Sequence, residues 1–415
     1  MSDNLDVEFC RAQFPLMSSA DGAPDAYFEN AGGSYVPRQV IDAMTAFMTD
    51  SQTQPEWPFA AAKRGKARIE KAQKGIAALF NISPDELVIG PSTTLNNYVL
   101  AQALRPGFAE GDAIVVTNQD HEANGGCWRR LADTGIEVRE WQLDPATGDL
   151  DPARLDALLA DGKVKLVAFP HVSNVVGSVN DVKAITAKAH AAGAMTVVDG
   201  VAAVAHTLSD LKDLDVDFYL FSFYKLFGPH LAMLYGKKER IDAVANQNHF
   251  FHEGNGAAML NPGGTNYESA GSIGGILDYF DAVYDHQFDA PANDPRARTT
   301  AVYRLFQKQE EAVMKRFLDW LDTRPEIRLI GRREADCHRR AATFSLVIPD
   351  HEPEALAEAL GAKGLCVGAG HFYGYRCIQA LGLDPEVGVL RVSMVHYTTE
   401  AEVDRLTAAL DEILG

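Results

Sequence analysis

From about residue 38 the chain alternates two patterns: long stretches with apolar residues three and four apart, and short apolar runs that stop at Gly, Pro, Asn or Asp. The first pattern predicts amphipathic helices and the second predicts buried strands. The clearest runs are 86–90 (ELVIG), 113–117 (AIVVT), 164–169 (VKLVAF), 195–199 (MTVVD) and 218–221 (FYLF). Helices are predicted between them over 64–80, 152–160 and 181–192. Such alternation gives an α/β fold with a mostly parallel sheet. Polar residues gather directly after the strands, where open sheets of this kind bind ligands.

Periodicity fails across 285–298 (DHQFDAPANDPRAR), where Pro, Asp and Asn accumulate and mark a boundary or linker. Beyond it come a long amphipathic stretch, a strand-like run at 341–348 (AATFSLVI) and a helix at 353–364 (PEALAEALGAKG). The run 390–397 (LRVSMVHY) and a closing helix at 400–414 complete a smaller α+β unit. A chain of 415 residues exceeds one ordinary core. The expected division is an N-terminal segment, 1–25, packing on the small domain, a large domain, 26–288, and a small C-terminal domain, 289–415.

The formal net charge of −19 argues against nucleic acid or an anionic membrane as partner, since either needs a concentrated basic surface. The five cysteines, Cys10, Cys127, Cys337, Cys366 and Cys377, are odd in number and lack paired spacing. Neither a disulfide framework nor a metal site is therefore expected, and a reducing cytoplasm fits. The start MSDNLDVEFC is acidic where a secretion signal would be basic, and no apolar run reaches membrane-spanning length.

The segment DFYLFSFYKLFGPH sets Ser222, Tyr224 and Lys225 directly after an apolar strand. A lysine there can form an imine with an aldehyde cofactor if its pocket leaves part of the amine neutral. Asp199 ends a run 26 residues earlier and could keep a pyridine nitrogen protonated; a helix cap is its plainer use. In IGPSTTLNNYVLAQAL, Ser92, Thr93 and Thr94 open a helix, an arrangement suited to a phosphate or to ordinary capping. His121, in DHEAN, could stack on a flat cofactor or act as a base. Asn174, in VSNVVG, could bond a phenolic oxygen or simply form a turn. Arg391 could fork onto a carboxylate or serve a structural ion pair.

Taken in chain order, these motifs resemble the class V aminotransferase and cysteine desulfurase family of fold-type I pyridoxal-phosphate enzymes, from FENAGGSYVP to the C-terminal helix. The resemblance implies pyridoxal 5'-phosphate held as a Schiff base on Lys225, with Asp199 at the pyridine nitrogen. It implies a phosphate held by Thr93, Thr94 and Ser222, with Tyr224 able to donate as well, His121 on the ring face and Asn174 at the cofactor oxygen. GGTNYESAG resembles the segment that reaches a neighbouring subunit's phosphate, which gives Thr265 a role across a homodimer interface. Arg391 is implied as the clamp for an amino-acid carboxylate, with Asn30 and His371 also on the substrate side.

The departures bear on the product. Sulfur-mobilising relatives carry Gly-His-His-Cys on a mobile loop, whereas this chain reads AGHFYGYRC, with Phe372 and Tyr373 at the last two positions and Cys377 four residues on. Ala202 stands where relatives place Gln or His. The resemblance thus implies a small-molecule amino acid as substrate and desulfurase-like chemistry, C–S lyase or sulfur-removing, without the usual persulfide cysteine. Transamination with a keto acid is the alternative, and a catalytically silent cofactor-binding protein a third.

Overall fold

A computed structural model of the protein describes residues 4–18, 25–289 and 292–415. Parts of the expected N-terminal segment (1–3 and 19–24) and of the expected linker (290 and 291) lie outside the described residues.

The main sheet has seven strands in the spatial order Leu87–Gly90, Ala232–Gly236, Phe218–Ser222, Met195–Asp199, Val164–Pro170, Ala113–Thr117 and Glu137–Trp141. All pairings are parallel except the two made by Ala232–Gly236. The strands within the sheet are buried because helices cover both faces, and each fully buried Val, Leu or Phe contributes roughly 1.5–3 kcal/mol. Register fixes the functional edge: Gly90 and Ser222 both stand opposite Ala232, while Asp199 pairs with Leu220 and Pro170. The carboxyl ends of the six strands other than Ala232–Gly236 therefore lie on one side.

A second sheet of four antiparallel strands runs Gly368–Gly370, Val389–Ser393, Thr343–Val347 and Arg328–Leu329, with its own core around Phe317, Phe344 and Leu390. The helix Pro295–Leu321, capped by Asp294 and started by Pro295, joins the two cores. Val302 and Phe306 pack in the first core, Val313 and Phe317 in the second, so the change of core falls within a continuous helix. The strand Ala26–Tyr27 pairs with Leu365–Cys366, and Phe28 packs in the small core. Leu5, Cys10 and Phe14, ahead of Ala26–Tyr27, pack in the first core, so the chain visits the small core between two passes through the large one. Among the described residues no helix is long and apolar enough to cross a membrane.

Candidate active site

The strand Phe218–Ser222 runs into one tight turn, Phe223–Lys225, and reverses at Gly228. A β-carbon at Gly228 would lie 2.6 Å from Ile276 and 3.1 Å from the Phe223 carbonyl oxygen, so only glycine lets the turn pack this closely. Lys225 is held inside the protein, its Nζ donating to the Ala31 carbonyl. Burial pushes its pKa down to about 8, helped by the charge of Arg391 and opposed by Glu29 and Asp199. At pH 7.5 roughly a quarter of such amines are neutral, against about one in a thousand for an ordinary lysine. That difference makes imine chemistry accessible without a separate base.

Asp199, at the end of the neighbouring strand, accepts from the Val201 amide at 2.8 Å. Burial raises its pKa, opposed by that amide and by Lys225. A second carboxylate, Asp120, lines the same cavity. Its Oδ2 accepts from Asn124 Nδ2 at 2.8 Å, whereas its Oδ1 is buried without a partner. Burial and the charge of Asp199 push Asp120 well above the usual carboxylate range. Sequence reasoning passed over Asp120, although it directly precedes His121 after an apolar strand.

Hydroxyl groups gather where the helix Thr93–Leu104 begins. Ser92 caps it through Leu95, and Thr93 Oγ1 meets Ser222 Oγ at 2.7 Å, tying the helix start to the lysine-bearing strand. The first amides of the helix have no intrahelical partner, so this corner suits an anion. His121 caps the helix Glu122–Arg129, with Nδ1 accepting from the Ala123 amide at 3.0 Å. Its proton therefore sits on Nε2, and burial, reinforced by Lys225 and Arg391, lowers its pKa to about 4, so the ring is neutral. Asn174 lines the cavity while its Nδ2 donates to the Phe372 carbonyl at 2.9 Å.

One cavity thus brings together Thr93, Thr94, His121, Asn174, Asp199, Ser222, Tyr224 and Lys225, with Ala202 in its wall. Four expected residues stand outside it. Asn30 is engaged by the carbonyls of Tyr27 and Ser393 and by the Tyr397 hydroxyl. His371 accepts from the Tyr373 amide at 3.1 Å, within the loop that follows Gly368–Gly370. Thr265 donates to the Ile89 carbonyl at 2.7 Å, in a separate groove with Pro55, Glu56 and Tyr267. Arg391 is buried in the small sheet and paired with Glu29 at 2.6 Å. The sequence reading stopped at Asn30 and missed its neighbour Glu29. The five cysteines all lie among the described residues and none lines the cavity. Cys377 is fully buried in the helix Tyr375–Ala380, where burial pushes its thiol up to about 12.

These residues fit pyridoxal phosphate on chemical grounds. A partly neutral amine can carry the aldehyde carbon, a buried carboxylate the ring nitrogen, and a hydroxyl-lined helix start the phosphate. The sheet order places them consistently: the helix start and Lys225 follow adjoining parts of the edge, then Asp199, then Asn174, then Asp120 and His121.

The sequence pattern of the family described as aminotransferase class-V matches residues 26–257 and 301–406. An aminotransferase-like protein of Gibberella zeae is 32% identical over 423 residues, covering 100% of both chains. A cysteine desulfurase of Pectobacterium carotovorum is 30% identical over 437 residues, covering 98% of each. The crystal structure of the cysteine desulfurase CsdA from Escherichia coli is similar with a TM-score of 0.82 and 25% identity, over 99% of each chain.

Proposed function

The chain belongs to the aminotransferase class-V family of fold-type I pyridoxal-phosphate enzymes, and we propose that it is a C–S lyase acting on cysteine or a close relative, with no cysteine of its own receiving the sulfur. The observation that carries this reading is the cavity itself. It holds Lys225, Asp199 and the Nε2–H of His121, and no thiol. The likeness to proteins named cysteine desulfurases supports a sulfur-bearing amino acid as substrate.

Lys225 would hold the cofactor aldehyde, Asp199 the proton of the ring nitrogen, and Thr93, Thr94, Ser222 and Tyr224 the phosphate. Asn174 would meet the phenolic oxygen, and Arg391 would take the substrate carboxylate, beside Asn30 and His371. Pyridoxal phosphate, when bound, supplies an electron sink adjoining the substrate Cα. The free amine of Lys225 would take the Cα proton of the bound amino acid. The Cβ–S bond would break with its electron pair going to sulfur, and His121 Nε2–H would protonate the leaving atom. In sum, cysteine and water give pyruvate, ammonia and sulfide, and no oxidant or reductant is needed.

The working unit in this reading is a homodimer, with Thr265 reaching the second copy. Its groove lies by a segment where Trp57 and Phe59 are exposed, and Phe250 and Phe251 are exposed as well. The enzyme reading is tested by assaying purified protein with cysteine and a panel of its derivatives for sulfide and pyruvate. Both products are expected from at least one derivative and neither from Lys225→Ala. Their absence throughout the panel would remove the lyase assignment.

A further inference from the structure

Arg391 already holds a carboxylate. Its Nη2 donates to Glu29 Oε1 at 2.6 Å and its Nη1 to the Asn174 carbonyl at 3.1 Å, on a side chain only 2% exposed. The ring of Phe372 covers the guanidinium 3.6 Å from its centroid. Arg391 Nε and Glu29 Oε2 are buried without a partner among the described residues. The pair is therefore close and enclosed, yet one hydrogen-bonding atom on each side is unused.

The backbone makes room for this arrangement at two glycines. A β-carbon at Gly32 would lie 2.4 Å from Glu29 Oε1, and one at Gly368 would lie 2.7 Å from Glu29 Oε2. Any other residue at either position would push the carboxylate from its slot. The slot is anchored by the bridge between Glu29 and Ser393 and by the Ala31 amide donating to Ser393 Oγ at 2.8 Å. On the same residue, the Ala31 carbonyl receives Lys225 Nζ. A single segment, 29–31, thus engages both cationic groups of the site.

A substrate carboxylate that takes Arg391 must take over the hydrogen bond Glu29 now makes. Two carboxylates on one enclosed guanidinium would leave one buried negative charge unpaired, which is strongly unfavourable. We propose that Glu29 is an internal competitor for the substrate-carboxylate site and thereby a specificity-determining residue. It keeps Arg391 paired while substrate is absent, and a carboxylate binds only by displacing it. This rests on reading Arg391 as the clamp. A ligand bearing a carboxylate alone gains little, because it replaces one carboxylate by another. An α-amino acid also engages the cofactor end through its amine, and that second interaction drives the exchange. Glu29 therefore selects amino acids over simple carboxylic acids.

The test uses the holoenzyme, with propionate as a carboxylate lacking an amine and ethylamine as an amine lacking a carboxylate. Dissociation constants are measured by calorimetry for the wild type, Glu29→Gln and the double variant Glu29→Gln/Arg391→Gln. Glu29→Gln should tighten propionate about tenfold and leave ethylamine within about twofold, because only the carboxylate meets a competitor. Adding Arg391→Gln should abolish the gain. Glu29→Asp, which withdraws the carboxylate by one methylene, should shift propionate in the same direction with an unchanged melting temperature, separating the effect from misfolding. Unchanged or weaker propionate binding in both Glu29 variants would overturn the competitor role while leaving the clamp standing if Arg391→Gln alone weakens alanine binding. A gain that survives Arg391→Gln would overturn the clamp and the competitor together.

Discussion

Around Lys225 the site is made by consecutive strand ends of one sheet, whereas around Arg391 it is assembled from segments that are far apart in the chain. The cofactor end draws on residues 92–94, 120–121, 174, 199 and 222–225, each following a strand of the large sheet. The proposed substrate end joins Glu29 to Arg391 across 362 positions and closes with the loop 371–374, which Asn174 and the amide of Glu122 hold from the side of the large sheet. A frame of strands fixes positions by register, so the placement of these groups hardly depends on pairings between side chains. The other end depends on a few pairings, and in the proposed reading it is where affinity and selectivity are set.

The comparison can be broken most severely at Lys225. Replacing it by Ala should abolish the absorbance band of lysine-bound cofactor and lower sulfide release at least about a thousandfold, measured by spectrum and product assay. Asp199→Asn keeps the shape but removes the carboxylate. It should lower kcat by about a hundredfold with KM changed little, because the ring nitrogen matters when charge develops and not when substrate binds. At the other end, Arg391→Gln should raise KM for the amino acid about tenfold or more, with a smaller change in kcat. Phe372→Ala, which uncovers the same guanidinium, should raise KM only a few-fold.

The lysine also makes a prediction in pH. Its folded pKa of about 8 lies below the ordinary 10.5, so the neutral amine reaches half at about pH 8 and about nine-tenths one unit higher. Capture of added pyridoxal phosphate by the cofactor-free protein should rise with pH through about 8 and level off above about 9. A capture rate still climbing steeply toward pH 10 would mean that the pocket does not depress the lysine.

The same contrast explains what could be read from the sequence. The strands that lead to Lys225, Asp199, Asn174 and His121 are short, mostly apolar runs followed closely by polar residues, a signal carried entirely by local order. Glu137–Trp141 escaped that reading because it is an edge strand with a partly exposed face, and its sequence EVREW is too polar to register. Ala232–Gly236 escaped because it follows the lysine turn after only a few residues and pairs antiparallel on both sides. Glu29 and Asp120 were hidden for another reason. A carboxylate beside Asn30 or His121 looks like any loop acid until the fold shows which charge faces it. The Glu29–Arg391 pair is a fact of tertiary packing, since the strand Val389–Ser393 places Arg391 between Ser345 and Gly368 while Glu29 arrives alongside Ser393.

The most direct test of the central claim is to follow cysteine turnover by the holoenzyme while measuring sulfide, pyruvate and alanine together, with the intact chain weighed by mass spectrometry at intervals. The account predicts pyruvate and sulfide in equal amounts, with all five cysteines unmodified throughout. Alanine as the coproduct, with a persulfide on Cys377 or any other cysteine of the chain, would contradict it.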